Sequence, residues 1–383
     1  MNDRPTSDHG VNEPTWDRWA SGELQSIRDA GQWRAPRDLD AAGPEGKLAP
    51  DGRPVVSFAS NDYLGLTQHP TVIAAAHAAL DRWGAGSGAA RLIVGSRPVH
   101  HDLEDALAAW KGTERAVLFP TGFAANLGAL TTFAGRGTLV CSDELNHASI
   151  VDGCRLSRAD IAIYRHTDVE HLESLLRTAG GRRVVVVTDT VFSMDGDLAP
   201  LEAITALCRD TGALLVLDEA HAALGPDPDL EGVDALRIGT LSKTHGSLGG
   251  FVASSAGFAD LLVNRARSYI FTTAPTPADS AAALAATTIL QGQDGDDLRD
   301  RLRTHIERVR PGHPSPIIAV VCGDTERARS AADALLERGL LVPAIRPPTV
   351  APGTSRLRIT LSAAHSAAQV DALVDALVDL GLA

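Results

Sequence analysis

Polar side chains that can transfer protons or attack a carbonyl group follow four short apolar runs in the middle of the sequence. Ligands of open α/β sheets bind beyond the carboxyl ends of the strands, so these side chains are the first candidates for a site. They would place an acid, two histidines, a serine and a lysine at one sheet edge: Asp218 and His221 after Leu214–Leu217, Lys243 after Ile238–Leu241, Ser193 after Val184–Val187, and His147 after Leu139–Cys141.

Lys243 is the most informative of these residues, because the chain has only two other lysines, Lys47 and Lys111, and neither has such a setting. A lysine in a loop is ordinarily solvated and charged. Only the neutral amine attacks a carbonyl group to form a Schiff base, and partial burial or nearby cations favour that form. The position of Lys243 between Gly239 and Gly246, close to a strand end, is compatible with a functional amine.

Asp218 follows four apolar residues, and a carboxylate so close to a buried strand needs a partner. One alternative is that it caps the next helix. Another is that it faces a protonated pyridine nitrogen, since an aspartate at that nitrogen with a lysine Schiff base is the arrangement that binds pyridoxal phosphate. The combination of Asp218 with Lys243 favours this cofactor.

A phosphate site is predicted where a strand leads into a helix at Phe119–Asn126. The free backbone N–H groups of a helix N-terminus bind phosphate, although the segment taken alone is an ordinary strand-to-helix turn. The glycines of Gly84–Gly88 follow a helical pattern rather than a strand, so they do not form a dinucleotide-binding loop.

Arg356 and Arg358 alternate with apolar residues on a predicted strand, so both would point to one face. We expect one of them to be solvated and the other to hold a substrate carboxylate through a bidentate pair. His147 is either a capping or core histidine or a ring that stacks on a flat ligand.

The elements that position these residues alternate between apolar strands and helical patterns, which predicts an α/β fold with a parallel sheet covered on both faces. The first part of the chain is polar and rich in proline and glycine, with one possible helix over residues 15–33. We therefore predict an N-terminal arm over residues 1–53, a large domain over 54–277 and a small α+β domain over 278–383.

Composition excludes several classes of protein. The 35 basic and 48 acidic residues give a net charge of −13, so the chain lacks the basic footprint of a protein that binds nucleic acid or an anionic membrane. Four cysteines without a C-x-x-C pair predict neither a metal site nor a disulfide framework. No signal peptide or apolar span is visible, and we expect a cytoplasmic protein.

Eight ordered motifs resemble the α-oxoamine synthases, pyridoxal-phosphate enzymes of fold type I, and the resemblance covers nearly the whole chain from about Trp16. It is closest to the members that act in biotin synthesis. The motifs are Ser60–Leu66, Gly86–Gly88 with His100, Leu103 and Glu104, Phe119–Asn126, Asn146–Ser149, Val191–Asp197, Asp218–His221, Thr240–Lys243 and Ile345–Val350.

The resemblance implies a large domain with a mostly parallel seven-stranded sheet, a homodimer and a role for each matching residue. Lys243 would bind pyridoxal phosphate covalently, Asp218 would face the pyridine nitrogen, and His221 would lie near the phenolic oxygen. His147 would stack on the ring beside Ser193. The cofactor and its phosphate would be held by Gly122, Phe123 and Thr240, with Thr272 or Thr273 reaching the phosphate of the partner subunit.

For the reaction, the resemblance implies condensation of L-alanine with a pimeloyl thioester of coenzyme A or acyl carrier protein, with loss of carbon dioxide. Arg358 would bind the alanine carboxylate, and Arg34 and Thr349 would lie near the acyl donor. Other members use other substrates, for example glycine and acetyl-CoA. A regulator that has kept the fold without the chemistry is disfavoured, because Lys243, Asp218 and His147 are all present.

Overall fold

The computed structural model describes residues 15–382. Residues 1–14 of the predicted arm lie outside this range. The described part of the arm contains one helix, which ends earlier than predicted. It begins after Thr15, whose hydroxyl accepts the backbone N–H of Arg18 at 3.3 Å. The elements of the first part are α1 (Trp16–Asp29), β1 (Leu39–Ala41), β2 (Glu45–Leu48), β3 (Arg53–Ser57), α2 (Pro70–Trp83) and α3 (Pro98–Lys111).

A seven-stranded sheet forms the centre of the molecule. Its elements are β4 (Arg115–Phe119), α4 (Gly122–Phe133), β5 (Thr138–Asp143), α5 (Ala148–Ser157), β6 (Asp160–Tyr164), α6 (Val169–Arg177), β7 (Arg183–Asp189), α7 (Leu201–Thr211), β8 (Leu214–Asp218), β9 (Ala235–Thr240), β10 (Gly250–Ser254), α8 (Ala256–Arg265) and α9 (Arg267–Ile270). The strand order is β4-β10-β9-β8-β7-β5-β6, and only β10 runs antiparallel to its neighbours. The predicted mostly parallel sheet is confirmed.

The remaining elements form a smaller α+β unit: α10 (Pro277–Leu290), α11 (Gln293–Val309), β11 (Ile317–Gly323), α12 (Thr325–Glu337), β12 (Leu340–Leu341), β13 (Ala344–Ile345), β14 (Ser355–Thr360) and α13 (Ala367–Asp379). Strand β14 lies between β11 and β13 and is antiparallel to both. All six residues of β14 are buried, so its arginines lie inside the protein.

The N-terminal segment packs with this smaller unit. Strand β3 pairs in parallel with β12, almost 300 residues further along the chain. Phe58 and Tyr63 are fully buried and belong to the same hydrophobic cluster as Ile317 and Ile359. The segment after β3 is thereby held against β14, although the predicted domain boundary assigns it to the large domain.

Within residues 15–382, none of the helices is both long enough and apolar enough to cross a membrane. The four cysteines are buried free thiols.

Candidate active site

Asp218 ends β8 with its carboxylate buried and held by two donors. Asn126 Nδ2 donates to Asp218 Oδ2 at 2.6 Å, and the backbone N–H of Ala220 donates to Oδ1 at 2.9 Å. Asn126 lies on α4, four residues after Gly122. The carboxylate is therefore fixed in position at the carboxyl edge of the sheet, where sequence reasoning placed it.

A hydrogen-bond chain links Asp218 to His147. The same Asn126 amide donates to Ser149 Oγ at 2.9 Å, and this hydroxyl bonds to His147 Nδ1 at 2.7 Å. His147 is the N-cap of α5 and is solvent-exposed. The orientation of its ring is thus coupled to the strand end that carries Asp218.

Asp189 fixes the backbone of His147. The carboxyl group of Asp189 is buried at the end of β7, and its Oδ2 accepts the His147 backbone N–H at 2.7 Å. Burial and the negative charge of Asp218 raise the pKa of Asp189 well above its usual value. The carboxyl group of Asp189 therefore takes up a proton more readily than a solvated aspartate does.

Lys243 lies in the loop after β9 and contacts His221. The distance from Lys243 Nζ to His221 Nε2 is 2.9 Å, and His221 Nδ1 lies 2.5 Å from the hydroxyl of Tyr63. Tyr63 donates to Asn61 Oδ1 at 3.2 Å, so the Nδ1–H of His221 donates to Tyr63 and its Nε2 accepts from Lys243.

Burial lowers the pKa of Lys243, and the charge of Arg358 lowers it further, while Asp218 and Asp189 oppose the shift. Burial, Lys243 and Arg358 lower the pKa of His221 well below its usual value. Both effects favour neutral forms. The site therefore contains a lysine whose amine is easier to deprotonate than a solvated one.

Gly122 and Phe123 begin α4, directly beside Thr240 at the end of β9. A Cβ atom on Gly122 would lie 3.1 Å from Thr240 Cβ, so the backbone approaches this strand end more closely than most side chains permit. Thr240 Oγ1 bonds to Ser242 Oγ at 2.8 Å. The N-terminus of α4, whose first backbone N–H groups have no partner within the helix itself, is thus next to the loop of Lys243.

The loop of Ser193 bridges to the smaller unit. Gly196 in this loop has a φ of +76°, and a Cβ atom there would lie 1.9 Å from the carbonyl oxygen of Ile317. Ser315 Oγ donates to the Gly196 carbonyl at 2.7 Å. Only glycine permits this contact, which holds Ser193 near β14.

Arg358 extends from β14 into the site. Its Nε donates to the Ser193 carbonyl at 2.5 Å, Nη1 to Thr360 Oγ1 at 3.0 Å, and Nη2 to Asn61 Oδ1 at 3.2 Å. A guanidinium has five N–H donors, so two remain for a ligand. The residue predicted to bind a carboxylate therefore lies beside Lys243 with donors available.

The expectation that one of the two arginines is solvated is wrong. Arg356 is only 7% exposed, and it forms an ion pair with Asp195 and a 3.5 Å hydrogen bond to the Met194 carbonyl. The reason is that β14 faces the loop of Ser193 rather than solvent. The alternation of Arg356 and Arg358 with apolar residues indicates that the two arginines share one face of the strand. It does not indicate which part of the protein covers that face.

These contacts separate the roles of the two arginines. We expect Arg358→Ala to raise the KM for the amino-acid substrate roughly tenfold or more, because a charge-assisted contact with its carboxylate is lost. Arg356→Ala should instead lower the free energy of unfolding by about 1–3 kcal/mol, because Asp195 loses its partner. Steady-state kinetics and denaturant unfolding of both variants test this. A KM defect confined to Arg356→Ala would exchange the two roles.

A second ionic contact holds the same loop from the other side. His166 Nδ1 lies 3.0 Å from Asp143 Oδ1, and its Nε2 lies 2.8 Å from Asp197 Oδ2. Burial alone would lower the pKa of His166, but the two hydrogen-bonded carboxylates outweigh burial and raise this pKa to about 10. The charged imidazole of His166 therefore links Asp143, at the end of β5, to Asp197 in the loop of Ser193.

This contact predicts a pH-dependent contribution to stability. The folded pKa of His166 lies above the ordinary value of 6.5, so the contribution is complete below about pH 6.5 and disappears as the pH rises through about 10. The difference in Tm between the wild type and His166→Gln should therefore shrink from pH 7 to pH 10.5. His77→Gln, at an exposed helical position, is the control. A constant difference in Tm would contradict the ion pair.

The structure brings some of the other predicted residues together and leaves others apart. Arg34 Nη2 lies 3.5 Å from Thr349 Oγ1, although 315 residues separate them in the sequence. Thr272 and Thr273 follow α9, and neither has a side-chain hydrogen bond within the described part of the chain. Their contact with a partner subunit stays a prediction.

Sequence reasoning assigned no role to four residues of this site: Asn61, Tyr63, Asn126 and Asp189. Two signals could have found some of them. Asn126 is a single polar residue within the apolar segment Phe123–Leu130, and Asp189 ends a buried strand just as Asp218 does. The contacts of Asn61 and Tyr63 depend on chain segments that are distant in sequence.

The side chains present fit pyridoxal phosphate. Lys243 supplies an amine that forms no ion pair with a carboxylate among residues 15–382. Asp218 supplies a buried carboxylate for a protonated ring nitrogen, and Gly122 leaves room at a helix N-terminus for phosphate. The fold and this donor set define a pyridoxal-phosphate-dependent enzyme of fold type I.

Comparison with known proteins agrees with this class. Residues 53–377 match the family described as aminotransferase class I and II. The 8-amino-7-oxononanoate synthase of Methylobacterium sp. (strain 4-46) is 47% identical over 363 residues, which cover 90% of this chain and 95% of the relative. The chain belongs to the aminotransferase class I and II family and, within it, to the 8-amino-7-oxononanoate synthases.

Solved structures give the same fold. Serine palmitoyltransferase from S. paucimobilis, in a structure with bound PLP-myriocin aldimine, superposes with a TM-score of 0.87 at 32% identity and covers 95% of this chain and 98% of that one. The 8-amino-7-oxononanoate synthase of Francisella tularensis has a TM-score of 0.70 at 25% identity, with coverage of 85% and 98%. The predicted fold class, family and cofactor are confirmed.

Proposed function

We propose that this enzyme condenses L-alanine with a pimeloyl thioester to give 8-amino-7-oxononanoate, carbon dioxide and the free thiol carrier. The observation that carries the proposal is the contact of Lys243 with His221 beside Arg358, in a chain 47% identical to an enzyme named for this product. Pyridoxal phosphate, when bound, supplies the electron sink that stabilises a carbanion at the amino-acid Cα.

The cofactor would be held by the residues of the site. Lys243 would hold it covalently, Asp218 would keep a proton on its ring nitrogen, and His221 would face its phenolic oxygen. His147 would pack on the ring. Phosphate contacts would come from Gly122, Phe123 and Thr240, with Ser193 beside the ring and Thr272 or Thr273 supplied by a partner subunit.

The side chains then divide the chemical work. Arg358 would bind the alanine carboxylate with its two remaining donors and orient the Cα–H bond. Lys243, with its lowered pKa, would take the Cα proton as a general base and later return a proton to the product. Arg34 and Thr349 would lie along the acyl donor.

A second candidate keeps the chemistry and changes the substrates. Serine palmitoyltransferase is favoured by the higher TM-score of its structure, 0.87 against 0.70. The identity of 32% to that enzyme is lower than the 47% to the Methylobacterium enzyme, so pimeloyl transfer to alanine is the better supported function.

A matrix of substrates tests the proposal. Purified enzyme with pyridoxal phosphate is offered pimeloyl-, acetyl-, succinyl- and palmitoyl-thioesters, each with alanine, glycine or serine, and products are identified by mass. We expect 8-amino-7-oxononanoate from alanine with the pimeloyl thioester as the dominant product. A dominant product from palmitoyl-CoA with serine, or from acetyl-CoA with glycine, would overturn the assignment.

A homodimer in the cytoplasm is part of the proposal. Leu92, Ile93, Val94 and Phe271 are 51–74% exposed, and Phe271 directly precedes Thr272. An exposed apolar patch of this kind is typical of a subunit interface. Light scattering should give twice the mass of one chain, and a monomer at micromolar concentration would refute the dimer.

The buried free cysteines suit a reducing compartment.

A further inference from the structure

A cavity of about 540 Å³ lies between the N-terminal segment and the smaller unit, outside the site described above. Its wall is formed by residues between Arg37, just before β1, and Ser60, after β3, by α12, and by the segment from β12 to Arg346. The apolar part of the wall includes Leu39, Leu48, Leu341 and Val342. This volume lies within the range of small-ligand pockets.

The charge of this cavity contrasts with the charge of the whole chain. Arg37, Arg329 and Arg346 line it together with one acid, Asp333, whereas the protein as a whole carries a net charge of −13. Arg346 is occupied, since it donates to the backbone carbonyls of Gly31 and Trp33. Within residues 15–382, Arg37 and Arg329 are exposed, and their side chains have no hydrogen bond or ion pair.

The cavity shares its wall with the active site. Pro343 lines the cavity, and its carbonyl accepts the backbone N–H of Arg358 at 3.0 Å. Ser60 also lines it and directly precedes Asn61, which accepts from the Arg358 side chain. A ligand in this cavity would therefore lie next to the segments that hold Arg358.

We propose that the cavity binds the phosphate of the phosphopantetheine arm that carries the acyl chain, with Arg37 and Arg329 as its ligands. This inference rests on the proposed function. The thioester must reach the neighbourhood of Lys243, so the carrier has to extend outward from there, and the two free guanidinium groups are exposed. The apolar residues of the wall would contact the methylene and methyl groups of the arm.

A phosphate fits these arginines better than a carboxylate does. One guanidinium satisfies both oxygens of a carboxylate in a bidentate pair, whereas a phosphate offers further acceptor oxygens for a second guanidinium. Coenzyme A and acyl carrier protein both present this phosphate on the same arm. The chemistry is therefore shared by the two possible carriers.

Three thioesters of the same acyl group test the proposal: pimeloyl-CoA, pimeloyl-acyl carrier protein and the phosphate-free pimeloyl-N-acetylcysteamine. The PLP-loaded variants Arg37→Gln and Arg329→Gln should each lower kcat/KM for a phosphate-bearing donor about tenfold, the loss expected for one charge-assisted hydrogen bond. The phosphate-free thioester should change less than about twofold. Arg327→Gln, an exposed arginine on α12 outside the cavity wall, is the matched control.

Other outcomes would overturn the proposal. An equal loss with all three thioesters would mean that the arginines bind the acyl carboxylate. A loss with the carrier protein but not with coenzyme A would mean that they contact the protein surface. If kcat/KM is unchanged with all three thioesters, the cavity does not bind any part of the acyl donor.

A binding measurement separates this inference from the proposed function. Calorimetric titration of coenzyme A and of pantetheine into the PLP-loaded enzyme requires no turnover. Coenzyme A should bind about tenfold more weakly to each variant than to the wild type, and pantetheine should bind equally. If no pimeloyl thioester is a substrate but this pattern holds, the function fails and the phosphate site stands. If coenzyme A binds all proteins equally, the site fails.

Discussion

Replacing Lys243 with alanine is expected to reduce turnover by at least about a thousandfold, because one side chain supplies both the covalent attachment of the cofactor and the general base. The fold should survive, since in the described part of the chain the Lys243 side chain forms one hydrogen bond, to His221, and no ion pair. Kinetics, absorbance of the bound cofactor and Tm together test this. Turnover within tenfold of the wild type would remove Lys243 from the mechanism.

The other two lysines provide the controls for attachment. Borohydride reduction followed by peptide mapping should place the pyridoxyl mass on Lys243. Lys111 forms a 2.6 Å ion pair with Glu219, so its ammonium group already has a carboxylate partner. Lys47 lies on β2, in a different sheet from the strands that carry the site. Lys47→Ala should keep normal turnover. Label on Lys47 or Lys111 alone would contradict the assignment.

The strands that carry the site could be predicted from the sequence for a simple physical reason. A strand buried on both faces is almost continuously apolar, so the polar residue that ends it stands out, as Asp218 does after Leu214–Leu217. The parallel arrangement then brings several strand ends to one edge. Lys243, His221 and His147 can therefore be predicted from the sequence to lie at one sheet edge.

Contacts between distant segments could not be predicted in the same way. The pairing of β3 with β12 involves only two short stretches, and neither has a pattern that names its partner. The ion pair of Arg356 with Asp195 depends on how the smaller unit docks on the loop of Ser193. Local patterns determine which face a residue occupies, whereas docking determines its neighbours.

The second layer of the site shows the same limit. Asn126 belongs to a motif that is visible in the sequence, but the sequence does not indicate that its amide connects Asp218 with Ser149. Helical spacing places Asn126 one turn after Gly122, on the side that faces the sheet edge. The structure shows that this one amide donates to the carboxylate of Asp218 and to the hydroxyl of Ser149, which in turn bonds to His147.

Replacing Asp218 with asparagine is expected to reduce turnover by several orders of magnitude while the cofactor stays bound. The negative charge of Asp218 favours a proton on the ring nitrogen, and without that proton the carbanion at the substrate Cα loses most of its stabilisation. Loss of a group that acts mainly in the transition state should lower kcat more than it raises KM. Stopped-flow kinetics and absorbance of the loaded variant measure the two effects.

The structure indicates why this variant should fold. Asn126 Oδ1 is buried and has no hydrogen-bond partner among the described residues, so the Asn126 amide can rotate and accept from the new amide of residue 218. The backbone carbonyl of Asp218 is also held by the N–H and the hydroxyl of Thr190, at 2.9 and 3.1 Å. Tm should therefore fall by only a few degrees.

Asp234→Asn makes the same change of charge at an exposed residue before β9, at the end of the sheet opposite the site, and should leave turnover unchanged. Comparing the two variants separates a local effect on the ring nitrogen from a general effect of net charge. If Asp218→Asn keeps bound cofactor and turns over within tenfold of the wild type, the charge at this strand end is not what stabilises the carbanion. A variant that loses turnover together with its cofactor would instead give Asp218 a role in binding, and would contradict the prediction.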